Sequence, residues 1–116
     1  MIYTIEYTGD LCPINQKFIS RNFVLSPRYR IFKNEFSNYL RSVWKRDPIL
    51  TEISIGWKIA YPIKNVDIDA FFKSVQDCLQ GIIIKDDRQI FKYDYVTILR
   101  GLPAHITLTI NDYLPR

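Results

Sequence analysis

Hydrophobic and polar positions alternate along several stretches of this chain, which is the pattern of strands with one buried face. Alternation predicts strands over residues 2–7, 51–59 and 104–110, and a further strand within residues 90–99. Two short apolar stretches within residues 17–25 flank a polar turn and predict a small hairpin. Most of the chain outside these strands must therefore be helix or connecting turn.

Two helices are predicted between the strands. Ser26 is a suitable N-cap and Pro27 a suitable first helical residue, and the helix should end before Pro48. Its apolar residues recur at helical spacing and are expected to form a buried stripe that faces the core: Tyr29, Phe32, Phe36, Tyr39, Leu40, Val43 and Trp44. A second helix is expected from about Ala70 to Leu79. This order of elements predicts an α+β fold with a mixed or largely antiparallel sheet and two main helices.

Length and composition indicate a single compact domain spanning residues 1–116. With 47% hydrophobic and 24% charged residues, the chain has the composition of a folded globular protein. No apolar run is long enough to cross a bilayer, and the first ten residues lack the features of a signal peptide. We therefore expect a cytoplasmic protein that is not secreted and does not contact a membrane.

The two cysteines, Cys12 and Cys78, lie far apart, and the chain has one histidine. This spacing disfavours a structural zinc site and predicts free thiols. We expect Cys78 to be a small buried hydrophobe on the inward face of the second helix.

The net charge of +4 is unevenly distributed. Residues 17–46 contain eight lysines and arginines and one acid, whereas residues 67–94 contain six aspartates and four basic residues. The basic segment indicates a polyanionic partner, with a solvated helix face as the alternative. Binding to phosphates does not require the acidic segment, so the acids need a separate explanation.

Asp67 and Asp69 stand at the predicted start of the second helix. Asp69 alone would be explained as a helix N-cap. In an extended segment, however, both carboxylates would point the same way, and their repulsion favours a cation between them. Asp86 and Asp87 form a second acidic pair, which is either a turn or the source of a third carboxylate. Three such oxygen ligands would suit Mg²⁺, with Mn²⁺ as a substitute.

The run D-I-D-A-F-F-K-S-V-Q-D-C-L-Q-G-I-I-I-K-D-D-R-Q-I, residues 67–90, resembles the signature of the RusA family of Holliday junction resolvases. The shared features are D-x-D, a lysine four residues after the second acid, an aspartate four residues later, and then L-x-G and D-D-x-Q. Ala70 departs from the asparagine that the family usually has after the second acid.

The resemblance implies a Mg²⁺-dependent endonuclease that cuts branched DNA, especially four-way junctions, as a homodimer in a bacterial or phage-infected cell. Asp67, Asp69 and Asp87 match the metal-binding catalytic acids, and Lys73 matches the essential lysine. An ordinary ion pair with Asp69 or Asp77 is the structural alternative for Lys73. The expected DNA contacts are Asn15, Lys17, Arg28, Arg30, Lys64 and Lys73, and the expected supporting residues are Asp77, Asp86 and Gln89.

Two other functions fit the same residues. A nucleic-acid-binding dimer without catalysis would use the basic segment and retain a vestigial acidic site. An assembly protein would use the acidic pairs to hold a structural cation.

Overall fold

A computed structural model describes residues 2–14 and 26–112 of the chain. The described elements are β1 (Ile2–Thr8), α1 (Pro27–Val43), β2 (Ile53–Tyr61), α2 (Phe72–Leu79), a 3₁₀ turn (Asp87–Gln89), β3 (Ile90–Arg100) and β4 (His105–Asp112). They form a single compact α+β domain with two α-helices and a four-stranded mixed sheet, which confirms the predicted fold class. The hairpin predicted within residues 17–25 lies outside the described residues.

The strands are ordered β1-β4-β2-β3 across the sheet. β4 pairs antiparallel with both β1 and β2, whereas β3 runs parallel to β2 and is joined to it through α2. The short connection from β3 to β4 crosses the end of β2, where the Gly101 and Leu102 N–H groups both donate to the Tyr61 carbonyl. Gly101 has φ +80°, a backbone conformation that glycine adopts without steric cost.

Both helices pack on one face of the sheet. Tyr7 of β1 contacts Phe36 of α1, with 4.9 Å between ring centroids, and Trp57 of β2 contacts Phe72 of α2 at 4.8 Å. Tyr7 pairs with Ile106 of β4, and Trp57 pairs with Leu108. Ile106 and Leu108 are two positions apart and point to the same face of the sheet, so Tyr7 and Trp57 do as well. The apolar side chains between these helices and the sheet form one continuous core.

The start of α1 agrees with the prediction. Ser26 accepts a hydrogen bond from the Tyr29 N–H at 3.0 Å through its hydroxyl oxygen, and Pro27 is the first helical residue. Val43, expected on the buried stripe, is instead 47% exposed. Val43 is the last residue of the helix, and the neighbouring Trp44 fills the space against Tyr3.

The start of α2 differs from the prediction. The helix begins at Phe72, and its N-cap position is Phe71 rather than Asp69. Residues 67–71 form turns, in which the Ala70 N–H donates to the Asp67 carbonyl at 3.2 Å. The Ala70 carbonyl accepts the Ile14 N–H at 2.7 Å, so it bonds to the loop after β1. The extended backbone expected for Asp67 to Asp69 is therefore also wrong.

β2 is more buried than a strand with one apolar face. Ser54, on the polar side of the alternation, is 4% exposed and donates a hydrogen bond to Asp94 at 2.8 Å. The Tyr95 ring lies across Gly56, where a β-carbon would stand 2.2 Å from it. Side chains of β3 therefore cover the second face of β2.

Cys12 and Cys78 are both buried thiols, which confirms the burial predicted for Cys78. Neither described helix has the length and apolar character that a membrane crossing requires.

Candidate active site

The turns before α2 place Asp67 and Asp69 in one cleft. Its volume is about 540 Å³, and it lies between the residues that follow β2 and the loop that follows β1. The residues that line it are Asp10, Pro13, Ile14, Arg28, Tyr61, Pro62, Ile63, Asn65, Val66, Asp67, Asp69 and Ala70. The two predicted metal ligands therefore share a cavity, although the backbone that carries them is turned rather than extended.

Hydrogen bonds from three elements hold the walls of this cleft. Arg100, the last residue of β3, donates from Nε to the Val66 carbonyl at 3.0 Å. Ser74 of α2 donates from its hydroxyl to the Cys12 carbonyl at 2.7 Å, and both residues are buried. The backbone bond between Ile14 and Ala70 adds to these contacts. The loop after β1 is thus attached directly to α2 and to the turn that precedes it.

Arg28, in the first turn of α1, is held inside the same cleft. Its Nε and Nη2 donate to the two carboxylate oxygens of Asp10 at 3.3 and 3.1 Å. Nη2 also donates to the Leu11 carbonyl at 2.9 Å and to the Tyr61 hydroxyl. Burial alone would lower the pKa of the Arg28 guanidinium, but hydrogen bonds to Asp10 and Tyr61 raise that pKa above its ordinary value. Arg28 is therefore a fixed cation.

A second cluster surrounds Lys73 on α2. Its Nζ lies 3.6 Å from Oδ1 of Asp77 and 3.4 Å from Oδ2 of Asp87. Tyr29 of α1 donates a hydrogen bond to the other oxygen of Asp77 at 3.1 Å. The charge of Asp77 raises the pKa of Lys73, burial opposes it, and Asp87 adds to the rise. The predicted ion pair between Lys73 and Asp77 is present. The other acid that contacts Lys73 is Asp87 rather than Asp69.

The 3₁₀ turn presents Asp87 beside Lys73. Asp86 caps this turn, and the Arg88 guanidinium and N–H that donate to its carboxylate lower the pKa of Asp86 to about 2. Gln89 accepts hydrogen bonds from the Lys85 and Asp86 N–H groups and donates to the carbonyls of residues 49 and 51. Asp86 and Gln89 thus fix the turn that carries Asp87.

The structure divides the predicted acids between two clefts. Asp87 lines a smaller cleft of about 200 Å³ with Gln76, Phe91, Tyr93 and others, separate from the cleft of Asp67 and Asp69. Within residues 2–14 and 26–112, no three His, Cys, Asp or Glu side chains lie close enough to hold a metal together. Of the three predicted metal ligands, Asp67 and Asp69 therefore share a cleft, and Asp87 lies in the other.

Two further predicted DNA contacts, Arg30 and Lys64, lie outside these clefts. Arg30 is exposed on α1, where it shares a shallow groove with Lys33 and Arg41. Lys64 is exposed and packs beside Gly101. Asn15 and Lys17 belong to the segment that the structure leaves undescribed.

Three residues at the larger cleft escaped prediction from the sequence: Asp10 and Tyr61, which line it, and Arg100, which donates to the Val66 carbonyl in its wall. Asp10 and Tyr61 meet Arg28 from positions 18 and 33 residues away along the chain. No local spacing signals such a contact. The sequence shows only that Asp10 follows one strand and that Tyr61 ends another. Both patterns are common in proteins without such a site.

Comparison with known proteins identifies the family. The family model for the endodeoxyribonuclease RusA matches residues 13–111, a range that includes Arg28, Asp67, Asp69, Lys73 and Asp87. No curated protein matches the chain closely enough to serve as a relative. Because the family match covers most of the sequence and agrees with the motif in residues 67–90, the chain belongs to the RusA family of endodeoxyribonucleases, the Holliday junction resolvases.

Proposed function

We propose that this chain is a Mg²⁺-dependent, structure-selective endodeoxyribonuclease that resolves Holliday junctions or related branched DNA by paired nicks. Residues 1–116 would form a single RusA-like endonuclease domain. One observation supports this proposal most strongly. In a chain of this nuclease family, Asp67 and Asp69 line the same cleft as a fixed arginine.

The larger cleft fits a divalent cation by its donor chemistry. Three aspartates and one arginine line it, so its formal charge is −2. Mg²⁺ in nucleic-acid enzymes is usually held by one or two protein carboxylates together with waters and substrate phosphates, so three converging acids are not required. Asp67 and Asp69 would hold it, and Mn²⁺ would substitute. When bound, the metal lowers the pKa of a water and neutralises charge on the phosphodiester.

Lys73 and Asp87 would act from the neighbouring cluster. Lys73 supplies a positive charge that stabilises the negative charge developing on the phosphate. Asp87, which the family motif suggests as a third metal ligand, forms an ion pair with Lys73 in the structure. Its use as a metal ligand therefore requires the cation to compete with Lys73 for its carboxylate. Asp77 and the Tyr29 hydroxyl keep Lys73 near this position.

DNA binding and assembly complete the proposal. Arg30 and Lys64 are exposed positive charges, and we retain Asn15 and Lys17 as proposed contacts. A four-way junction has two-fold symmetry, so a homodimer would place one active site at each of two opposed strands. We place this activity in the cytoplasm of a bacterial or phage-infected cell, in recombination, repair or phage DNA processing.

A nucleic-acid-binding dimer without catalysis is the second candidate. The observation in its favour is the division of the acids between two clefts, which a protein with a vestigial site would also show. This candidate predicts salt-dependent junction binding and no cleavage with Mg²⁺ or Mn²⁺.

The test of the proposal is the variant Asp69→Asn, which removes one charge from the cleft with little change of shape. We expect nicking of a synthetic four-way junction with Mg²⁺ to fall by roughly 100-fold or more, while junction binding and the Tm stay unchanged. Asp47→Asn, at an exposed position outside both clefts, is the matched control and should cut normally. Wild-type cutting by Asp69→Asn would refute the mechanism, and binding without cutting by the wild type would favour the second candidate.

A further inference from the structure

We propose that Arg28 positions a DNA phosphate in the cleft of Asp67 and Asp69, and that Asp10 and Tyr61 are positioning residues which hold Arg28 for this task. The inference rests on the proposed function, because it assigns a substrate contact within the same cleft. It adds two residues, Asp10 and Tyr61, that lie outside the family motif in residues 67–90.

The contacts of Arg28 fix the guanidinium on a rigid support. Leu11, whose carbonyl accepts from Nη2, is fully buried, and Tyr61 is 4% exposed with its ring packed on Phe71 at 4.7 Å. The Arg28 side chain itself is 35% exposed, so a ligand in the cleft has access to it. A guanidinium held in this way loses little conformational freedom when it binds an anion.

The charges of the cleft explain why a phosphate would need this group. Among the described residues that line the cleft, Arg28 supplies the positive charge against three aspartates. A phosphate entering with Asp67 and Asp69 therefore meets net repulsion until a cation binds. The planar fork of the arginine guanidinium carries five N–H donors that suit phosphate oxygens, and Asp10 orients this group through Nε and Nη2.

A purely structural salt bridge is the competing explanation. The pair would then serve to attach the loop after β1 to α1. The Asp10 side chain is 60% exposed, however, and ion pairs this open to solvent contribute little to stability. The loop is already held by the buried hydrogen bond from Ser74 to Cys12 and by the backbone bond from Ile14 to Ala70. An additional exposed pair is not needed for that attachment.

Steady-state nicking of a four-way junction, together with Mn²⁺ titration of the DNA-free protein by calorimetry, tests the proposal. Arg28→Lys keeps the charge and loses the fork, and Asp10→Asn loosens the guanidinium. We expect each to lower kcat/KM roughly 10- to 100-fold, because a misplaced phosphate reacts slowly. Mn²⁺ affinity should stay within about twofold of wild type, since neither residue is a ligand. The double variant should be no worse than Arg28→Lys alone, because Asp10 acts through Arg28.

Matched controls separate positioning from folding. Asp47→Asn repeats the Asp10 change at an exposed position outside both clefts, and Tyr39→Phe removes a hydroxyl that donates to the Glu6 carbonyl, outside the cleft. Both should keep wild-type rates. Tyr61→Phe should lower kcat/KM with unchanged Mn²⁺ affinity, and it replaces Asp10→Asn as the test if that variant fails to fold.

Several results would overturn the inference. Loss of Mn²⁺ binding in Asp10→Asn would make Asp10 a metal ligand. Additive losses in the double variant would make the two residues independent. Full activity of Arg28→Lys beside an inactive Asp69→Asn would refute this inference and leave the proposed function intact. Full activity of Asp69→Asn would refute the proposed function itself.

Discussion

Lys73 contacts two acids at once, and this sets its chemistry. Its ammonium lies within 3.6 Å of Asp77 and 3.4 Å of Asp87, and their charges raise its pKa. A lysine whose pKa is raised stays protonated at neutral pH. We therefore propose that Lys73 contributes electrostatic stabilisation rather than proton abstraction.

Substitution of Lys73 should separate charge from shape. We expect Lys73→Gln to lower kcat for junction nicking by about 100-fold, since it removes a donor aimed at developing charge. Lys73→Arg keeps the charge and should lose less. Rates measured at saturating Mg²⁺ check this, with Lys58→Gln, an exposed lysine on β2, as the control that leaves kcat unchanged. Equal losses in the Gln and Arg variants would show that geometry, not charge, matters at this position.

The family motif could be recognised from the sequence, whereas the contacts of its residues could not. The spacing of Asp67, Asp69 and Lys73 was sufficient for the resemblance to the RusA signature, because local sequence carries it. The partners of Arg28 could not be foreseen, since Asp10 and Tyr61 reach it only through the packing of three separate segments. For the same reason Asp87 was grouped with Asp67 and Asp69 as a metal ligand, although in the structure its carboxylate contacts Lys73.

At the scale of elements, the 3₁₀ turn depends on one amide side chain. Gln89 accepts from two N–H groups at its own end of the turn and donates to the carbonyls of Ile49 and Thr51, at 2.7 and 2.9 Å. Both ends of its amide are therefore used. The turn that carries Asp87 is attached in this way to the segment leading into β2.

The isosteric change Gln89→Glu should weaken this attachment. A glutamate retains the two accepted bonds but faces both carbonyls with a negative oxygen in place of a donor. We expect a loss of about 1–2 kcal/mol in the free energy of unfolding, measured by urea denaturation at pH 7. Asn38→Asp makes the same chemical change on an exposed face of α1 and should stay within about 0.5 kcal/mol of wild type. Equal stability of Gln89→Glu and wild type would contradict this account of the turn.

Elements with a clear period were predicted well, and those fixed by distant contacts were not. The four described strands and the start of α1 follow from alternation and from the Ser26-Pro27 start signal. The first turn of α2 was misplaced because the Ala70 carbonyl bonds to Ile14, a partner 56 residues away in the chain. No window of local sequence contains that interaction.

At the scale of the whole molecule, the order of the strands places the candidate acids of both clefts along the connection that contains α2. Parallel pairing of β2 and β3 requires a crossover, and that crossover carries Asp67, Asp69 and Lys73 before it reaches Asp87. The sequence predicted an α+β domain with a mixed or largely antiparallel sheet. It could not predict that β3 and β4 lie on opposite sides of β2, since a four-residue connection is equally suited to a hairpin.

Cleavage of branched DNA by the wild-type protein tests the central claim most directly. The measurement compares a four-way junction, a flap and a linear duplex of the same sequence, each with Mg²⁺ and with a chelator, and uses Asp67→Asn to exclude a contaminating nuclease. We predict paired nicks in branched DNA with Mg²⁺, little cutting of the duplex, and none with the chelator or the variant. A junction that is bound but stays intact with both Mg²⁺ and Mn²⁺ would contradict the assignment of this chain as a nuclease.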